Sequence, residues 1–152
     1  MSLKPGDPAP DFEGLATDGT RVSLKGYRGK KLVLYFYPMD DTPGCTKQAC
    51  SLRDHNKDIA AKGAAILGVS TQDESSHRKF TAKYKLNFPL LADTDGKIAD
   101  AYGVRREPGK NMARRASFLI GLDGKIAHVT DVPSADVHLA EMKEAVSKLH
   151  GN

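Results

Sequence analysis

The stretch Lys31-Leu-Val-Leu-Tyr-Phe-Tyr37 runs directly into Pro38-Met-Asp-Asp-Thr42-Pro-Gly-Cys45, and the reading of this junction decides the fold. Its first part is a continuous apolar, partly aromatic run without polar alternation, the pattern of a strand covered on both faces, and Pro38 closes it. Thr42-Pro43 then reads as a helix start: a hydroxyl residue able to cap, followed by proline at the first helical position, where a missing N–H costs nothing. Cys45 falls in the first turn. Ala49, Leu52, Asn56 and Ile59 continue from it at spacings of three and four, and Gly63 supplies a stop. Apart from Asn56 that face is apolar, so Cys45 is expected to point inward.

Outward from this junction the chain alternates strands and helices. Upstream, Asp11 to Leu24 reads as a short peripheral hairpin turning at Asp18-Gly19. Downstream, Ala64 to Val69 is a second buried strand, and Thr71-Gln-Asp-Glu74 has the form of a capping box opening a helix to about Lys85. Phe88 to Leu91 gives a short strand, Asp95 to Tyr102 a short helix stopped by Gly103, and Arg105 to Arg114 a polar loop containing Pro108-Gly109. Ser117 to Ile120 and Lys125 to Thr130 flank the turn Asp123-Gly124 as an antiparallel hairpin. Ala135, Leu139, Met142, Val146 and Leu149 form the inner stripe of a closing helix that Ser134 can cap. These elements predict one α/β domain over residues 1–152, a mixed central β-sheet flanked by helices with an N-terminal β-hairpin, which is the thioredoxin-like arrangement.

A chain of 152 residues can bury a single sizeable core. Its 39% hydrophobic and 28% charged residues are ordinary globular usage. The net charge of +4 comes from 23 basic and 19 acidic residues scattered without runs, which argues against nucleic acid as a partner. The first eight residues hold no apolar signal core, and the longest apolar run, Leu32 to Tyr37, is far too short for a membrane span. A cytoplasmic protein without membrane partners is expected. Two cysteines are too few for a secreted disulfide scaffold, and a close pair in a reducing compartment reads as redox-active or metal-binding.

Cys45 is placed for redox chemistry. A thiol attacks as its thiolate, and the unpaired N–H groups and dipole of a helix start favour negative charge there. The Thr42 hydroxyl can donate to the sulfur or to a bound oxygen. The competing account, a small buried hydrophobe on a helix face, does not explain the position after Thr-Pro-Gly. Cys50 lies five residues on, which in an ideal helix means a Cα separation of roughly 8.7 Å. A disulfide needs about 4.4–6.8 Å, so Cys45 and Cys50 can bond only if the first turns of the helix unwind. The spacing is not the Cys-x-x-Cys of thioredoxin-type reductases. Two cysteines without nearby histidine ligands make a zinc site a poor fit, and no cofactor is expected. His55, His77, His128, His138 and His150 read as surface or satisfied core residues, and Tyr35-Phe36-Tyr37 as core packing.

Pro38-Met-Asp-Asp-Thr42-Pro-Gly-Cys45 matches the Pro-x-x-x-Thr-x-x-Cys pattern of the peroxiredoxins, and Thr46-Lys-Gln-Ala-Cys50 resembles their bacterioferritin comigratory protein, or Q-type, group. The resemblance continues through Gly6-Asp-Pro-Ala-Pro-Asp-Phe12, Tyr35-Phe-Tyr-Pro38, Ile66-Leu-Gly-Val-Ser70, Asn87-Phe-Pro-Leu-Leu91, Tyr102-Gly-Val104 and Arg115-Ala-Ser-Phe-Leu-Ile120. It implies that Cys45 is the peroxidatic cysteine and Cys50 the resolving one, that Thr42 orients peroxide and thiolate, and that Pro38 shields the site from water. The family's arginine precedes a Ser/Thr-aromatic-aliphatic strand by two residues, which selects Arg115. Strand alternation sends Arg115, Ser117 and Leu119 one way and Arg114, Ala116 and Phe118 the other, so only one arginine can face Cys45. Gln48, one turn after Cys45, is left between solvent and a role in holding the arginine. The Arg105 to Arg114 loop is shorter than usual in the family and lacks its frequent tryptophan, which leaves the shape of the substrate pocket open.

By resemblance the chain is a monomeric thiol peroxidase for hydrogen peroxide and alkyl hydroperoxides, recycled by thioredoxin or a similar dithiol reductant. A peroxide sensor or redox-switched binding module, using the same disulfide as a signal, is the alternative. A plain disulfide reductase is disfavoured by the missing Cys-x-x-Cys.

Overall fold

The structure is a computed structural model that describes residues 3–106 and 111–149. A two-stranded antiparallel hairpin, β1 (Glu13–Leu15) and β2 (Arg21–Ser23), is followed by a 3-10 turn at Lys25–Tyr27. The remaining order is β3 (Lys31–Phe36), α1 (Pro43–Ala61), β4 (Ala64–Ser70), α2 (Glu74–Tyr84), β5 (Leu90–Ala92), α3 (Lys97–Ala101), β6 (Ala116–Ile120), β7 (Ile126–Thr130) and α4 (Ala135–Lys148). Strands β5-β4-β3-β6-β7 form one sheet, parallel across β5, β4 and β3 and antiparallel across β3, β6 and β7. The mixed sheet with its helices and separate hairpin is the arrangement expected from the sequence.

The apolar run of β3 puts that strand at the centre, covered on both faces. Leu32, Leu34 and Phe36 join Phe12, Leu24, Ile98, Tyr102 and Phe118 on one side, while Val33, Tyr35 and Tyr37 join Leu52, Ile59, Phe80, Met142 and Val146 on the other. Side chains alternate along a strand, so one unbroken apolar run supplies both cores. Helices α1, α2 and α4 cover the second face. Gly68 on β4 makes room there: a Cβ would meet the Tyr35 ring at 2.9 Å and a Leu90 methyl at 2.7 Å.

Three details depart from the sequence reading. The hairpin is less peripheral than expected, because Phe12 and Leu24 are buried in the first core and Ala16 bridges to Leu91 of β5. Helix α2 is capped by Asp73, whose carboxylate accepts from the Ser76 N–H at 2.8 Å. Thr71 is still at the strand end, and its hydroxyl donates to the Asn111 carbonyl at 2.7 Å, so the Thr-x-x-Glu pattern does not act as a box. The polar loop is drawn together at its base by an Arg105–Ala113 bridge, and its Pro108-Gly109 turn lies outside the described residues. No helix among the described residues is long and apolar enough to cross a membrane.

Candidate active site

Cys45 occupies the first turn of α1, with Thr42 as N-cap and Pro43 at N1, and is only 2% exposed. The inward face continues through Ala49, Leu52 and Ile59, all buried, with Gln48 beside them. Asn56, the polar exception, turns to the α2–β5 connection and donates to the Asn87 carbonyl at 3.0 Å. Cys50 is half-buried, both cysteines are free thiols, and α1 runs unbroken past each of them. This is the reduced, helical arrangement in which the spacing keeps the two sulfurs from bonding.

Arg115 comes to Cys45 from just before β6, the neighbour of β3. Its Nη2 donates to Cys45 Sγ at 3.3 Å, its Nε donates to the Pro133 carbonyl at 3.1 Å, and its Nη1 donates to Gln48 Oε1. The guanidinium is thus held at three points and aimed at the sulfur, which suits a group with a fixed fork of donors. Arg114 points away, to the Asp131 carboxylate through Nε at 3.0 Å and Nη2 at 2.7 Å and to the Gly103 carbonyl at 2.9 Å. The alternation that separates the two arginines in the sequence therefore separates their partners in space. Gly44 lets the guanidinium approach, since a Cβ there would stand 3.0 Å from Arg115 Nη2.

Thr42 is the N-cap residue, but its side chain makes no cap hydrogen bond to the helix. Its hydroxyl donates to the Met39 carbonyl at 3.2 Å, which leaves the oxygen lone pairs free to accept from a substrate O–H. Pro38 is half-buried and forms one wall of a cleft of about 210 Å³ shared with Arg115, Arg106, Val132 and Pro133. Larger clefts, about 520 Å³ beside Arg21 and Lys97 and about 600 Å³ beside Phe88, lie away from Arg115, and neither cysteine lines any of the three. The small cleft is bounded by the guanidinium that donates to Cys45 Sγ.

Behind Arg115 lies a second layer. His138 of α4 is 1% exposed, with Nδ1 at 2.7 Å from Ser117 Oγ and Nε2 at 2.7 Å from the Val132 carbonyl. Burial is the main cause that pushes this imidazole below its usual pKa. The neutral ring donates to Val132 and accepts from Ser117, fixing the segment that carries the Pro133 carbonyl. Gln48, His138 and the buried Asp40 are missing from the site expected on sequence. Only Gln48 gave a signal there, its position one turn after Cys45. No group of three or more histidine, cysteine or acidic side chains suited to a metal exists among the described residues.

With this geometry in view, the comparisons with known proteins fall in one group. The AhpC/TSA family model matches residues 5–129. A putative peroxiredoxin bcp of Coxiella burnetii is 40% identical over 147 residues, 93% of this chain and 97% of that one. Peroxiredoxin Bcp of Escherichia coli K12 is 43% identical over 134 residues, 85% and 86% of the two chains. Among solved structures, peroxidoxin BcpB from Mycobacterium tuberculosis matches with a TM-score of 0.91 at 35% identity, covering 98% of this chain and 99% of that one. The bacterioferritin comigratory protein of Xanthomonas campestris, solved as trapped intermediate and ligand complexes bearing on its alkyl peroxide reduction, matches at 0.84 and 26% identity, with 97% and 96% covered.

Proposed function

Since the chain belongs to the AhpC/TSA family, among its Bcp/Q-type peroxiredoxins, and is therefore a thiol-dependent peroxidase, we propose that Cys45 attacks the peroxide and that Cys50 resolves the product within the same chain. The observation that carries this reading is the 3.3 Å contact from Arg115 Nη2 to Cys45 Sγ at the start of α1.

In the first step the Cys45 thiolate attacks the distal oxygen of ROOH and displaces the RO⁻ group. An S–O bond forms, the O–O bond breaks, and the leaving oxygen takes a proton to depart as alcohol or water, leaving a sulfenic acid. Negative charge spreads over both oxygens as that bond stretches. Donors already fixed around the sulfur stabilise this state more than the bound substrate, and Arg115 is such a donor. Thr42 orients the peroxide through its hydroxyl oxygen, and Pro38 keeps water from the cleft.

In the second step the first turns of α1 unwind and Cys50 attacks the sulfenic sulfur. The disulfide forms, water leaves, and Cys45 is protected from irreversible oxidation. A dithiol partner of the thioredoxin kind then restores both thiols by exchange. Resolution within one chain needs no second subunit, which supports a monomer, and the need for reduced thiols supports the cytoplasm as its compartment. The alkyl peroxide reduction associated with the Xanthomonas relative favours repeated turnover over a sensor. The reading is tested by treating Cys50→Ser with one equivalent of peroxide and a sulfenic-acid-selective 1,3-dicarbonyl. Mass spectrometry should find the label on Cys45, and a chain that stays unlabelled contradicts the assignment.

A further inference from the structure

Asp40 lies midway between Pro38 and Thr42 and is 9% exposed. Its carboxylate takes three hydrogen bonds, from Tyr37 Oη at 2.6 Å, Ser76 Oγ at 2.7 Å and His77 Nδ1 at 2.7 Å, while its own N–H donates to Gln72 Oε1. His77, in the first half of α2, is fully buried, and its Nε2 faces the Leu91 carbonyl of β5 at 3.1 Å. The ring thus bridges the Asp40 carboxylate at Nδ1 and the Leu91 carbonyl at Nε2. Burial by itself would raise the Asp40 carboxyl, and the hydrogen bond and charge of His77, together with the hydrogen bonds from Tyr37 and Ser76, outweigh it and hold it below its usual value. A buried carboxylate depends on such partners, and removing one is strongly unfavourable.

The next residue gives the contrast. Asp41 has φ of 60°, the left-handed region, and its carboxylate accepts from Lys83 Nζ at 2.7 Å and Tyr84 Oη at 2.6 Å on the protein surface. Two adjacent carboxylates thus fasten the bent segment before α1 to α2, one buried and one exposed to screening. The peptide between Pro38 and Asp40 carries the Met39 carbonyl on which the Thr42 hydroxyl rests.

We propose that His77 is a positioning residue for peroxide reduction, holding Asp40, and through the Met39 carbonyl the Thr42 hydroxyl, where the substrate must be met. The inference rests on the assignment of Cys45 and Thr42 above. It assigns His77 to the oxidation step alone, because Cys50 approaches from the other end of the unwinding segment.

The test is stopped-flow measurement of Cys45 oxidation and of disulfide closure, each as its own rate, in His77→Leu, His77→Asn, Tyr37→Phe, Ser76→Ala and Lys83→Ala, with circular dichroism to check folding. Loss of a hydrogen bond to a buried charge should slow oxidation by roughly tenfold in His77→Leu and less in Tyr37→Phe and Ser76→Ala. Disulfide closure should stay within about twofold of wild type, and His77→Asn, which keeps a donor near Nδ1, should recover most of the oxidation rate. If His77→Leu does not fold, Tyr37→Phe and Ser76→Ala remove donors from the same carboxylate and carry the test. The proposal is overturned if oxidation is unchanged in all the folded variants at Asp40's partners, if oxidation and closure fall together, if His77→Asn is as slow as His77→Leu, or if Lys83→Ala is equally slow. Turnover that survives Cys45→Ser would instead remove the site assignment beneath it.

Discussion

Arg115 Nη2 lies 3.3 Å from Cys45 Sγ although the two residues are 70 positions apart, and the same guanidinium is tied to Gln48 and to the Pro133 carbonyl. A lysine has no planar fork with which to meet sulfur, amide and carbonyl together. Arg115→Lys is expected to lower the rate of Cys45 oxidation by about 10²-fold, the scale on which preorganised donors act. Second-order rate constants from stopped-flow fluorescence check this, and thermal unfolding should change little.

Gly44→Ala probes the same contact without touching a reacting group. The added methyl would stand 3.0 Å from Arg115 Nη2, and the far end of a flexible side chain can yield. Alanine also favours the helix at this position. The melting temperature should therefore hold or rise while the oxidation rate falls several-fold. Equal or faster oxidation would show that the guanidinium need not sit where it does.

Disulfide formation should cost helix. An intact α1 keeps Cys45 and Cys50 roughly 8.7 Å apart at Cα, beyond disulfide reach. One equivalent of peroxide should reduce the far-UV helical signal of wild type, and Cys50→Ser, which stops at the sulfenic acid, should keep it.

Acid should weaken the support behind Arg115. Burial holds the His138 imidazole below its usual 6.5 in the folded chain, so as pH falls the unfolded chain takes up this proton first. The contribution is fully present above 6.5 and is lost as pH falls from there through the folded value. Thermal stability should drop as pH falls below 6.5, and His138→Gln, neutral throughout, should flatten that part of the slope.

Much of the fold and part of the site were legible because their signals are local. The apolar run of β3, the Thr-Pro helix start and the turns at Asp18-Gly19 and Asp123-Gly124 each specify structure within a few residues. Arg115 was reachable too, through the family pattern of an arginine two residues before a Ser/Thr-aromatic-aliphatic strand, strand alternation adding that only one of the two neighbouring arginines can face Cys45. Gln48 was only half legible, its place one turn after Cys45 being equally open to solvent, and Asp40 and His77 were not legible, because polar residues usually face water and the partners of Gln48 and His77 lie 67 and 37 positions away. Capping was misjudged for a related reason. Thr71 and Asp73 can both cap a helix, and tertiary contact decided between them by giving the Thr71 hydroxyl to Asn111.

The most direct test of the account is peroxide consumption by the reduced protein, recycled by thioredoxin and its reductase, in wild type, Cys45→Ser and Cys50→Ser. The account predicts many turnovers for wild type, none for Cys45→Ser, and one stoichiometric oxidation without recycling for Cys50→Ser. Sustained turnover by Cys45→Ser, or a wild-type chain that reacts once and stops, would contradict it.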